Sequence, residues 1–272
     1  MKKTGLMLFA LSMLFVACEK DMQKVTFNYP VTGNYYKLDV EGAFDVTLSE
    51  TATKIEVTAS EDMQKYVDIY VKDGALKIRY RWNLSLHNRD AKVVLPADAS
   101  IREVELSGAA TFRGDLTGRE IDVELSGASD FYGTVQATNK VELDLSGSSY
   151  FGGAIQGPEV SIDLSGASDI EGSIDADNID VDASGSSTVK VTGSCLNYLD
   201  LDLSGSSDFL APTMECRNVG GEMSGSSDAE FQVCENLQVS LSGSSRIVYG
   251  IPVGCTPTVR CSTLGRSSVN TR

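Results

Sequence analysis

Residues 121–153 read IDVELSGASDFYGTVQATNKVELDLSGSSYFGG, and this stretch decides the fold because it restarts itself at residue 141. Counting back from Gly127, positions −2, −4 and −6 are Leu125, Val123 and Ile121; from Gly147 they are Leu145, Leu143 and Val141. The positions between them are polar. Such alternation marks a strand with one buried face. Four residues after each glycine an aromatic returns, first Phe131 and then Phe151. The unit is a strand, a tight Ser-Gly turn and a second strand, closed by a second bend near Asn or Pro.

The same unit extends in both directions. Its glycines are Gly108, Gly127, Gly147, Gly166, Gly185, Gly205, Gly225 and Gly243, separated by 19, 20, 19, 19, 20, 20 and 18 residues. A fixed period of this size signals a solenoid. The residue four places after the glycine runs Phe112, Phe131, Phe151, Ile170, Val189, Phe209, Ala229 and Ile247, and a further glycine recurs as Gly114, Gly133, Gly153 and Gly172. About 20 residues cannot hold two strands and a crossover helix, since a crossover alone needs about 10–12 residues or more. The chain therefore reads as all-β: a right-handed parallel β-helix with about 19–20 residues per coil, each strand pairing with its counterpart one coil away at about 4.8 Å. A left-handed hexapeptide helix fits less well, because no six-residue subrepeat is visible. Glycine in the turn accepts positive φ, and the flanking serines can bond to the local backbone.

The regular coils occupy residues 101–272, the last keeping the motif only as Gly265-Arg266-Ser267-Ser268. Residues 26–100 read as a β-rich N-terminal cap with degenerate coils. Here VEGAFDVTLSE (40–50) is a coil around Gly42, and YVDIYVKDGALKIRYRW carries a hairpin at Lys72-Asp73-Gly74. Such a cap shields the first coil edge from adventitious pairing. The start, MKKTGLMLFALSMLFVAC, has two lysines and an apolar run too short to span a bilayer, which is the form of a secretory signal. Its last residues resemble a bacterial lipobox, with Phe15 where leucine is usual. That resemblance implies a signal peptide over residues 1–17, lipid on Cys18, a tether over 18–25, and a place in the bacterial cell envelope, lipid-anchored at the outer membrane. The lipid is then the only membrane contact.

The 272-residue chain carries a formal charge of −15. Removing residues 1–17 takes Lys2 and Lys3 and no acid, leaving −17. Such a body argues against nucleic acid as a partner. Much of the charge is patterned. Position −3 is acidic in seven consecutive coils, as Glu105, Glu124, Asp144, Asp163, Asp182, Asp202 and Glu222; position −5 adds Glu103, Asp122, Glu142, Asp180 and Asp200. If coils stack, these carboxylates form two columns on one sheet face with no flanking basic column. Neighbours about 4.8 Å apart repel by about 1 kcal/mol in water and more at a protein surface. Solvated repulsion, weakly bound Ca²⁺ on the position −3 column, and a cationic partner or glycan along the face are the competing answers.

Cys195, Cys216 and Cys234 each lead a C-x-N triplet at one coil position, and Cys255 extends the column. One strand spacing is within reach of a disulfide, so these four are disulfide candidates, with a stack of small core residues as the alternative. Cys261 reads as a buried thiol. A ladder of cysteines does not make the tetrahedral cage of a zinc site.

In combination, VEGAFDVTLSE, DGALKIRY and VVLPADASIREVELSGAATF resemble the auto-transporter adhesin, head GIN domain family over roughly residues 26–260. The resemblance implies an envelope protein, often a lipoprotein, with a parallel β-helical fold, and supplies no catalytic residues. The chain itself offers few. His87 is its single histidine, with no nucleophile elbow to support a triad. Trp82, Tyr80 and Asn83 are a candidate sugar-stacking spot or cap packing. Asp130, Asp169, Asp208 and Asp228 form an interrupted turn column. Arg113-Gly114-Asp115 spells a cell-adhesion tripeptide, although Gly114 already belongs to the glycine column. The expectation is a non-enzymatic surface-binding module without a cofactor, its ligand a glycan or protein surface, with room for homo-oligomers at coil ends or flat faces. A polysaccharide-active lyase or glycoside hydrolase and a passive structural protein are the alternatives.

Overall fold

A computed structural model describes residues 24–30, 33–81, 91–97 and 100–272, and it is a parallel β-helix of about eight windings. Residues one repeat apart lie directly beside each other. Val123 pairs with Leu143, Leu143 with Ile162 and Ile162 with Val181, all parallel. The alternating side chains point inward and are buried, as are Phe112, Phe131 and Phe151, whose rings stack at 4.9 Å in both pairs. Each such phenylalanine contributes about 1.5–3 kcal/mol by burial.

The Ser-Gly turn is the sharp corner of every winding. At Gly147 φ is +79°, and a Cβ there would stand 2.5 Å from the carbonyl oxygen of Gly127 one winding away. Gly153 is more crowded still, since its Cβ would meet the Gly133 oxygen at 1.8 Å. Only glycine lets these backbones approach. The second bend is softer. From Tyr150 onward the strands Tyr150–Leu164, Asp169–Ala183, Thr188–Leu203, Asp208–Met223 and Asp228–Leu241 run through it without a break. Pairing slips there, between Gln136 and Lys140, Ala176 and Asn178, and Cys195 and Tyr198. Each of these slips changes the spacing between partners by one residue, within a range of 19 to 21. Asparagine amides bridge the same bend: Asn178 donates to Glu159 at 2.7 Å and Asn236 to Asn218 at 2.7 Å.

At the N-terminal end the spatial order departs from the chain order. Lys37–Gly42 lies between Ala75–Tyr80 and Glu103–Gly108, parallel to both, and Phe44–Ser49 lies between Ala91–Pro96 and Thr111–Arg113. The winding around Gly42 is thus a full member of the solenoid, and the chain passes below it before climbing back. Antiparallel strands close this end: Val67–Lys72 on Ala75–Tyr80, and Ile55–Ser60 on Ala91–Pro96, with Lys24–Tyr29 outside it. The hairpin between Lys72 and Ala75 turns on Asp73 (φ 53°) and Gly74 (φ 78°), the two positive angles of a two-residue primed turn.

Candidate functional site: an acidic face

Because the buried residues alternate with the polar ones, every carboxylate of the two columns is pushed outward. At position −3 the sheet pairs Glu105 with Glu124, Glu124 with Asp144, Asp144 with Asp163, Asp163 with Asp182, Asp182 with Asp202, and Asp202 with Glu222. At position −5 Glu103 adjoins Asp122 and Asp122 adjoins Glu142; Ser161 interrupts, and Asp180 then adjoins Asp200. All are exposed or half-buried.

Like charges this close resist ionisation. Asp122 is pushed up to about 6, first by partial burial and then by Glu124, Glu142 and Glu103. Asp163 is raised by burial and then by Asp182 and Asp144, and Asp180 by burial and then by Asp200 and Asp202. Burial and Asp202 raise Asp200. Among the described residues no basic column flanks the carboxylates, but three lysines each reach a single one. Lys37 pairs with Glu105 at 2.9 Å, Lys77 with Asp39, and Lys140 with Glu142 at 2.9 Å. Two of these lysines belong to the N-terminal windings, whose irregular sequence hid their place in the column. Asp202 is partly used too, accepting the backbone N–H of Glu222 at 2.9 Å.

Beside the position −5 column the bend leaves two hollows. One, about 650 Å³, is lined by Arg102, Arg119, Asp122 and Asn139; the other, a groove of about 260 Å³, by Asn178, Asp180, Tyr198 and Asp200. Lys140 borders both. Tyr198 is 42% exposed, and its hydroxyl lies where a side chain on Gly220 would stand, 1.9 Å from that position's Cβ. An aromatic surface, the Asp180 and Asp200 carboxylates and an amide thus share the smaller groove. The sequence signalled the carboxylates and the recurring asparagines of the bend; Tyr198 carried no periodic mark of its own.

Among the described residues no group of three or more Asp, Glu, His or Cys side chains is arranged to hold a metal ion. The seven carboxylates named for Ca²⁺ stand one per winding on a nearly flat face, which does not wrap oxygens around a centre.

Other motifs have structural uses. The serine two places after each turn glycine, from Ser129 to Ser245, is fully buried and donates to the carbonyl of the serine before the glycine, at 2.8 Å for Ser129 to Ser126. Asp130, Tyr150, Asp169, Thr188, Asp208 and Asp228 do stack in one column, and Asp228 takes Arg246 at 2.6 Å. In the Arg-Gly-Asp tripeptide, Arg113 faces Asp45 at 3.6 Å and lies over the Tyr132 ring, while Asp115 accepts the Thr134 N–H at 2.7 Å. Tyr80 stacks on Phe44 at 4.3 Å and packs the cap. Trp82, Asn83, His87 and Cys18 lie outside the described residues.

The cysteine column needs two corrections. Cys216 pairs with Cys195 on one side but with Val233 on the other. Two residues, Cys234 and Glu235, then oppose Arg217 alone, and this bulge turns Cys234 out of the column to bond with Cys255. Cys195 and Cys216 are buried thiols. Cys261, expected to be buried, is exposed, because it lies inward-facing on the strand Thr258–Thr263, which has no winding described beyond it.

The fold and face define a class: a ribbed, acidic β-solenoid whose recurring chemistry lies on an open surface. The chain matches the family model described as "Putative auto-transporter adhesin, head GIN domain" over residues 34–155 and 151–251, and it belongs to that family. Among curated proteins none matches it. Its fold is shared with a crystal structure of a "putative adhesin" from Parabacteroides distasonis at 23% identity and TM-score 0.67, covering 93% of this chain and 98% of that one. A "putative adhesin" from Parabacteroides merdae is similar at 20% identity and TM-score 0.60, covering 92% and 95%. A "Putative lipid binding protein" from P. distasonis is similar at 19% identity and TM-score 0.61, covering 93% and 98%.

Proposed function

We propose that this protein is a non-enzymatic binding module of the bacterial envelope, tethered through lipid on Cys18, whose acidic face and adjoining groove take a glycan or protein ligand rich in hydrogen-bond donors or amines. The observation that carries this reading is the adjoining pair of outward carboxylates Asp180 and Asp200, which line one groove with Tyr198. Crowded, partly desolvated carboxylates gain most from a cationic or hydroxyl-bearing ligand, and an exposed tyrosine ring offers a sugar a face to stack on. Family membership supports a surface role.

The test is retention on a panel of neutral, amino-sugar and uronate polysaccharides, scored together with any new reducing or unsaturated ends. Retention without new ends, weakened by Asp180→Asn with Asp200→Asn, is the expected result. New chain ends instead support an enzyme, and neither retention nor cleavage supports a passive structural part. Incorporation of a labelled fatty acid, lost in Cys18→Ser, tests the anchor separately.

A further inference from the structure

The column of crowded glycines six places after the turn glycine, Gly114, Gly133, Gly153 and Gly172, ends at Gly172; the cysteines, four places further on at the second bend, begin in the next winding. At that point the bend also loses its backbone pairing. Between Thr188–Leu203 and Asp208–Met223 the register slips twice, from Lys190 to Ser194 and from Cys195 to Tyr198. Cys195 and Cys216 stand at the paired position between those two slips. Each is 1% exposed, and their thiols meet side chain to side chain. The pair is separated by 21 residues, the same separation as the bonded pair Cys234–Cys255.

We infer that Cys195 and Cys216 are a second inter-winding crosslink, oxidised to a disulfide when the chain folds in an oxidising compartment. Two S–H bonds are lost and one S–S bond forms; two protons leave, and two electrons pass to a disulfide oxidant, glutathione disulfide or an oxidised dithiol oxidoreductase, which becomes two thiols. Cys195 Sγ donates to the Asp177 carbonyl at 3.8 Å; the Cys216 side chain beside it lowers the Cys195 thiol from its ordinary range, while Cys195 and burial push the Cys216 thiol up. The crosslink replaces the ladder bonds missing at this bend. It also fixes the strand that carries Tyr198 and Asp200 at the end of the groove. The compartment alone rests on the envelope reading; the chemistry does not.

The full chain with Cys18→Ser is refolded with oxidised and reduced glutathione, then unfolded in guanidinium with N-ethylmaleimide and weighed. One adduct, on Cys261, together with a crosslinked peptide pair containing Cys195 and Cys216, is the expected result. Three adducts, or a crosslink joining Cys261 to any other cysteine, overturn the inference. Cys195→Ala is expected to show two adducts, on Cys216 and Cys261, and no adduct in that variant also overturns it. Protein recovered from the cell envelope and counted in the same way tests the compartment: three adducts there with one adduct after refolding refute the oxidising location and leave the pairing standing.

Discussion

The Ser-Gly turn and the acidic face recur with the same period, yet they solve opposite physical problems. In the turn, polar groups go inside. Ser149, Ser168 and Ser187 are 0–1% exposed, and each hydroxyl is spent on a carbonyl three residues back. On the face, polar groups go outside and stack like charge on like charge. Recurrence in the turn marks a glycine where no side chain fits and a serine whose hydroxyl is used inside. Recurrence on the face marks a cost that the core tolerates, and that a ligand can relieve.

Substitutions should separate the two. Gly147→Val is expected to be the most damaging, since it forces a Cβ to 2.5 Å from the Gly127 oxygen at φ +79°. A loss above about 3 kcal/mol in urea unfolding is expected, and a loss below about 1 kcal/mol would show that the windings are not held this closely. Ser168→Ala removes one buried hydrogen bond and should cost about 1 kcal/mol. Ala110 already occupies the equivalent place in the first regular turn, so the fold accommodates the loss.

On the face the sign reverses. Asp180→Asn with Asp200→Asn removes a stacked like-charge pair and should stabilise by about 0.2–1 kcal/mol. Acidification should act in the same direction. Asp122, at about 6 in the folded chain against an ordinary 3.8, binds protons more readily folded than unfolded. Stability is therefore expected to rise as pH falls from above 6 toward about 4, with no further gain from this group below its unfolded value. A melting temperature that drops between pH 7 and pH 5 would contradict the crowding. Calcium should give the smallest effect, since no cage of ligands forms among the described residues. Millimolar calcium is compared with sodium chloride of equal ionic strength; identical melting curves remove calcium as a ligand of the face.

Much of this was legible because a solenoid converts sequence interval into spatial neighbourhood. Asp144 and Asp163, 19 residues apart, are sheet partners for that reason. The reading weakened wherever the interval changed. Cys234 looked like the next rung after Cys216, but one extra residue at the bend moved Val233 into that place. Lys37 and Lys77 belong to windings taken out of chain order, so their contacts with Glu105 and Asp39 left no periodic trace. The groove escaped for a related reason. Tyr198 occurs once, and no interval in the sequence shows that its hydroxyl lies over Gly220, the position −5 residue of the next winding.

The most direct measurement is the side-chain titration of Asp122 by carbon NMR. Stacked between Glu103 and Glu142, beside Glu124 and partly buried, it should titrate with a midpoint near 6. A midpoint near 3.8, its ordinary value, would mean that the carboxylates of neighbouring windings do not crowd one another.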